Sequence, residues 1–106
     1  MKEKFLNMMG LCRRAGKLVW GYDSCVTAVK DGTAKGLIAA SDISPKTLKN
    51  LKFEGDRAKL ETVTVSVETI ELSYAVGKRA GVYAVLDEGF FKKLKELAEH
   101  QGKDAE

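Results

Sequence analysis

Two short, uninterrupted apolar runs limit what this chain can become: Gly36-Leu37-Ile38-Ala39-Ala40 and Val82-Tyr83-Ala84-Val85-Leu86. Each is far too short to cross a membrane, and neither alternates with polar residues, so each predicts a strand that must be covered on both faces. The cover has to come from amphipathic helices, and the remaining sequence supplies them. Strands alternating with helices predict the α/β class, here a three-layer α/β/α sandwich with a four-stranded central sheet and five helices. A single domain over 1–106 is expected, because a chain of this length buries about two-thirds of the surface it exposes when unfolded.

The helices announce themselves by spacing and by caps. Over 3–15, Phe5, Met8, Met9 and Cys12 recur at three- and four-residue intervals, and Gly16 is the natural stop. A short strand over 17–20 follows, and Asp23 reads as the N-cap of a helix that turns Val26 and Val29 inward before Asp31-Gly32 closes it. Ser44-Pro45 is a strong helix start, with Leu48 and Leu51 on the inner face and Gly55 either ending that helix or lying within it. Strict alternation over 62–67 predicts a strand. Ser66 then reads as the cap of a helix on which Ile70 and Tyr74, with Leu72, Ala75 and Val76, cover neighbouring faces up to Gly77. Asp87 caps the last helix, which turns Phe90, Phe91, Leu94, Leu97 and Ala98 inward and frays from Gln101.

Charge is unevenly spread. Residues 1–59 carry twelve Lys or Arg against six Asp or Glu, whereas 60–106 carry six against nine. This is consistent with one face meeting nucleic acid, although lysine-rich helix surfaces also serve solubility alone. Cys12 and Cys25 are too few for a disulfide scaffold and match no zinc spacing, which fits a reducing cytoplasm. The N-terminal segment is interrupted by Asn7 and followed by Arg13-Arg14, so it does not read as a secretory signal.

The candidate working surface is the stretch from Arg13 to Val29, with three basic side chains, two glycines and a helix start whose first N–H groups point outward. Such a terminus suits a phosphate or the polar edge of a base. A second basic, glycine-bounded loop, Gly77-Lys78-Arg79-Ala80-Gly81, is expected at the same rim of the sheet. Gly10 to Leu18 is not a phosphate loop: five residues separate Gly10 from Gly16, and Leu18 stands where a magnesium-binding hydroxyl belongs. Cys25 near a helix start reads as a packing residue, because the one histidine, His100, lies in the polar C-terminal end as a solvated side chain. Asp87-Glu88 is explained as a cap with an acidic first turn, and Phe90-Phe91 as core. Trp20 is open between packing inward and stacking on a base, with packing favoured. No catalytic group, metal site or cofactor is expected.

Three segments carry a family resemblance: Arg14-Ala-Gly-Lys-Leu-Val-Trp-Gly21; Lys35-Gly-Leu-Ile-Ala-Ala-Ser-Asp42 with the helix start near Ser44; and Glu71-Leu-Ser-Tyr-Ala-Val-Gly-Lys78. In this order, and over about 4–97, the chain resembles the ribosomal L-seven-Ae/L-thirty-e family, in particular its short bacterial YlxQ-type members. The resemblance implies an α/β/α sandwich that binds kink-turn RNA, a sharply bent duplex with sheared G·A pairs. In the family the strand-to-helix turn reads Gly-x-Asn-Glu, with a Lys three residues after the Glu, and a loop before the last strand closes over the RNA bulge. The matching positions here are Gly21, Asp23, Ser24 and Thr27, and the loop is 77–81.

These positions depart from the pattern. Ionised Asp23 accepts hydrogen bonds but cannot donate to a guanine O6, Ser24 is shorter than a glutamate, and Thr27 brings no charge to a phosphate. The expected RNA-binding set is Arg14, Gly16, Lys17, Gly21, Tyr22, Asp23, Ser24, Thr27, Lys78, Arg79, Ala80 and Gly81. The expected function is non-enzymatic binding of structured RNA, with the ribosome as a candidate partner and no membrane. The alternative is a protein-interaction or ligand-binding module that keeps the fold and has lost kink-turn recognition.

Overall fold

The computed structural model describes the backbone of residues 2–104 and the side chains of residues 2–99. The elements follow in the order α1 (Lys2–Arg14), β1 (Leu18–Trp20), α2 (Tyr22–Lys30), β2 (Gly36–Ala39), α3 (Pro45–Arg57), β3 (Thr62–Thr64), α4 (Thr69–Val76), β4 (Val82–Val85) and α5 (Glu88–Asp104). The strands form one mixed sheet in the order β1-β4-β2-β3; β4 is antiparallel to both its neighbours, and β3 is parallel to β2.

The apolar runs are β2 and β4, the two central strands, and every residue of both is buried. Alternation along them divides two cores. Ile38, Tyr83 and Val85 face Phe5, Met9 and Cys12 of α1, Leu72 and Val76 of α4, and Phe91 and Leu94 of α5. Leu37, Ala39, Val82 and Ala84 face Cys25, Ala28 and Val29 of α2 and Leu51 of α3. The sheet is therefore covered on both sides, three helices on one and two on the other, as the runs demand.

Several boundaries differ from expectation for local reasons. The strand expected over 62–67 is regular only over Thr62–Thr64, although the backbone stays bonded beside the end of β2, where Val65 N–H donates to Ala39 O and Val67 O accepts from Ser41 N–H, both at 2.9 Å, and Val65 and Val67 turn their side chains into the first core. Gly55 lies inside α3, where an added Cβ would stand 3.0 Å from Leu37 Cδ1 and 3.1 Å from Thr62 Oγ1, so that helix and sheet meet there more closely than a side chain allows unless its neighbours give by a few tenths of an ångström. Ser66 does not cap α4. The N-cap is Glu68, whose N–H donates to Glu71 Oε1 at 3.3 Å. On α2, Cys25 and Ala28 join Val29 in the core, while Val26 is only half-buried. The backbone of α5 continues through Asp104, beyond the expected fraying point at Gln101. The solvated placement expected of His100 lies outside the described residues.

Candidate nucleic-acid interface at one rim of the sheet

Antiparallel pairing of β1 with β4 brings the end of the first beside the start of the second: Trp20 lies opposite Tyr83, and Gly21 N–H donates to Val82 O at 3.0 Å. The start of α2 and the loop 77–81 thus share one rim. Gly21 sits at φ 90°, ψ 147°, a conformation open in practice only to glycine. It is the N-cap of α2, and because glycine has no side chain the helix opens without a side-chain cap.

That lack of a cap sets α2 apart from α3, α4 and α5. The start of α3 is capped by Ser44, whose hydroxyl accepts from Thr47 N–H at 3.1 Å; Asp42 Oδ1 accepts from Thr69 N–H at 2.8 Å at the start of α4; and Asp87 Oδ2 accepts from Phe90 N–H at 2.9 Å in α5. Asp23 does not cap α2, because it lies within the first helical turn rather than before it. It stands exposed there with Ser24 and Thr27, while Tyr22 is half-buried against the second core. The first-turn N–H groups of α2 have no intrahelical acceptor and lie at the positive end of the helix dipole.

The loop 77–81 is fastened from below. Ser73 Oγ accepts from Ala80 N–H at 3.1 Å and donates to Ala80 O at 3.3 Å, and the same carbonyl accepts from the Tyr83 hydroxyl at 2.6 Å. Tyr83 is wholly buried, and desolvation pushes its phenol up to about 12, so it remains a donor at neutral pH. Gly81 O accepts from Ala40 N–H at 2.8 Å. A Cβ on Gly81 would lie 2.7 Å from Thr69 Oγ1 and 2.8 Å from Ile43 Cγ2, so only glycine lets the loop pass this close to the start of α4. Thr69 is itself fixed, since its hydroxyl and N–H both donate to Asp42 Oδ1, bonds that hold the Asp42 carboxyl below its usual range.

The cations are arranged around Trp20. The guanidinium carbon of Arg13 lies 5.3 Å, and the ammonium of Lys78 5.8 Å, from the centre of its ring, while the indole packs against the first core. Trp20 is thus core and platform together, holding two positive charges beside the loop. Among the described residues no carboxylate is paired with Arg13, Lys78 or Arg79.

The sequence-predicted set divides accordingly. Gly21, Tyr22, Asp23, Ser24, Thr27, Lys78, Arg79, Ala80 and Gly81 gather at this rim, though the side chain of Ala80 is buried and acts only through its backbone. Gly16 and Lys17 do not. Lys17 O accepts from Leu86 N–H at 2.8 Å, which places it at the opposite end of β1, about 10 Å from the rim at the usual rise per strand residue. Arg14 is exposed, and its guanidinium lies over Gly10 on α1. The stretch expected to act as one working surface is therefore divided by β1, the strand expected within it.

Sequence reasoning also placed Ile70 and Tyr74 under cover. They are 61% and 83% exposed and stand beside the loop. The signal was present: α4 is apolar on opposite sides, and a helix with one core can bury only one of them. Cys25 is packing, as expected. It is fully buried, and desolvation pushes its thiol up to about 12, which leaves no thiolate at neutral pH.

Residues 3–95 match the ribosomal protein L7Ae/L30e/S12e/Gadd45 family. The chain belongs to that family. It is 33% identical over 98 residues to the RNA-binding protein YlxQ of Enterococcus faecium, covering 92% of this chain and 94% of the relative. It is 31% identical over 83 residues to the large ribosomal subunit protein eL30B of Schizosaccharomyces pombe, covering 76% and 71%. A solved protein of unknown function from Bacillus halodurans C superposes with a TM-score of 0.85 at 32% identity, over 91% of this chain and 97% of that one. These names denote RNA-binding and ribosomal proteins rather than a class of enzyme, and no helix among the described residues is long and apolar enough to cross a membrane.

Proposed function

We propose that this chain is a single-domain, non-enzymatic RNA-binding protein whose RNA is a sharply bent duplex of the kink-turn kind, held at the rim between the start of α2 and the loop 77–81. The observation that carries the reading is the uncapped N-terminus of α2, placed beside a fastened loop and flanked by Arg13 and Lys78 on Trp20. A phosphate fits unpartnered N–H groups at a helix start, and nearby cations without carboxylate partners strengthen that fit. Asp23, Ser24 and Thr27 face the position where bases would be read. The names of the relatives support RNA as the partner and the ribosome as its setting, and on this reading the protein works in the cytoplasm.

Gel-shift titration against a kink-turn RNA and a plain duplex, at several salt concentrations, tests this. The expected result is preference for the kink-turn RNA and affinity that falls steeply with salt. Arg13→Ala with Lys78→Ala should flatten the salt slope by about two units, near one per lost phosphate contact, whereas Lys17→Ala should leave it unchanged. Absence of RNA binding at low salt would favour the interaction-module alternative, and an unchanged slope in the double variant would remove these two cations from the interface.

A further inference from the structure

We propose that the outer face of α4 holds an unpaired nucleotide base of the bound RNA, stacked on Tyr74; this rests on the RNA reading above and adds a subsite to it. Three sides of α4 are already occupied. Leu72 and Val76 enter the core. Glu71 accepts the Lys2 ammonium at 2.7 Å, and Ala75 lies against Gly10, so that side belongs to α1. Ser73 holds the loop through Ala80, and Thr69 is bonded to Asp42. The side left over, between the loop and α1, presents Ile70 and Tyr74 one turn apart and largely in water.

Beside them opens a groove of about 360 Å³ lined by Ile70, Ser73, Tyr74, Gly77, Lys78 and Arg79. Its chemistry is specific: one flat aromatic face, one aliphatic side chain and two cations without carboxylate partners among the described residues. An apolar peptide side chain would satisfy Ile70 and Tyr74 but offer nothing to Lys78 and Arg79. A nucleotide satisfies both, with its base on the aromatic ring and its phosphate near the cations. The base must be unpaired, because a base within a duplex has both faces covered by its neighbours. The groove is continuous with the rim, since Ser73 both lines it and fastens Ala80 of the loop.

The test titrates the wild-type chain, Tyr74→Ala and Tyr74→Phe with a kink-turn RNA, with the same RNA made abasic at each unpaired nucleotide in turn, and with a plain duplex, all at one salt concentration. Tyr74→Ala is expected to weaken binding of the intact kink-turn RNA about five- to a hundredfold, the range for loss of one base–aromatic stack. Tyr74→Phe should bind as wild type does. At one abasic position, wild type should weaken to match Tyr74→Ala, and the plain duplex should not distinguish the proteins. Because Tyr74 is 83% exposed, its replacement leaves the core intact, which circular dichroism verifies. The subsite is overturned, with the RNA reading standing, if Tyr74→Ala binds the kink-turn RNA as wild type does or weakens the intact and every abasic RNA alike. If wild type binds neither RNA, the RNA reading and the subsite fall together.

Discussion

Removing the hydroxyl of Tyr83 is the sharpest test of how the loop 77–81 is held. In Tyr83→Phe the ring still fills its buried position, but Ala80 O loses its 2.6 Å bond and keeps only the Ser73 hydroxyl at 3.3 Å. A neutral hydrogen bond of this kind contributes about 0.5–1.5 kcal/mol net, and for a domain of about 100 residues each kcal/mol moves Tm by about 4–8 °C. The expected fall in Tm is therefore about 2–12 °C. Ser73→Ala removes the acceptor of Ala80 N–H as well as the weaker bond to Ala80 O, so it should cost more, about 1–3 kcal/mol for a part-buried donor left unpaired. In the double variant Ala80 has neither partner, and the two costs should not add, because both act on one peptide group. Thermal unfolding followed by circular dichroism gives the stabilities, and RNA titration gives the second readout: the ratio of kink-turn to plain-duplex affinity should fall, since Lys78 and Arg79 remain but the loop that carries them is no longer fixed. If Tyr83→Phe melts within about 1 °C of wild type and keeps that ratio, the hydroxyl does not fasten the loop and the reasoning fails.

Other expectations follow from individual groups. Burial raises the thiols of Cys12 and Cys25 from 9.0 to about 12 and the Tyr83 phenol from 10.0 to about 12; the unfolded chain therefore releases these protons first, and stability should fall as pH rises from 9 to 12, more gently in Cys25→Ala than in wild type. Hydrogen bonds from Thr69 lower the Asp42 carboxyl below 3.8, so its contribution is present above that pH and lost as pH falls through the folded value; Asp42→Asn should be less stable than wild type at pH 7 and converge on it in acid. Thr62 Oγ1 is buried without a hydrogen-bond partner among the described residues, so Thr62→Val should raise stability by about 1 kcal/mol in urea unfolding. Asp23→Asn with Ser24→Glu restores a donor and a long acceptor at exposed positions of the rim; the kink-turn-to-duplex affinity ratio should rise, because a good bidentate base contact is worth about 1–3 kcal/mol.

The layers were legible in the sequence because the signals that set them are local and strong. Ser44-Pro45, Asp87 and Gly77 each mark an end by a single physical preference, and the runs that become β2 and β4 admit no other cover than two helical layers. What failed was local signal overruled by distant contact. Ser66 was a plausible cap, but the backbone stays bonded beside the end of β2 as far as Val67, whose carbonyl accepts from Ser41 N–H at 2.9 Å, and Asp42, far away in sequence, supplies the bond at the start of α4. Asp23 was a plausible cap too, yet Gly21, paired with Val82, is the N-cap, and α2 starts two residues earlier than an aspartate cap allows. Lys17 looked like part of the rim because it is close to Gly21 in sequence; the strand between them carries it to the other end of the sheet.

The rim is built mostly by groups that do not read anything. Gly21 contributes a backbone angle, Ala80 a peptide group, Gly81 the absence of a side chain, and Trp20 a surface on which cations rest. Ser73, Tyr83, Thr69 and Asp42 spend their polar atoms on one another and on the loop, so the shape of the rim is fixed before any partner arrives. By contrast Asp23, Ser24, Thr27 and Tyr74 are exposed and carry little of the core. Specificity can therefore change at those positions while stability stays nearly constant, which is the physical reason a chain can match its family through the scaffold and still differ at the strand-to-helix turn. Substitutions should sort into two groups, those at the fastening residues lowering Tm and RNA preference together, and those at the exposed positions moving RNA preference alone.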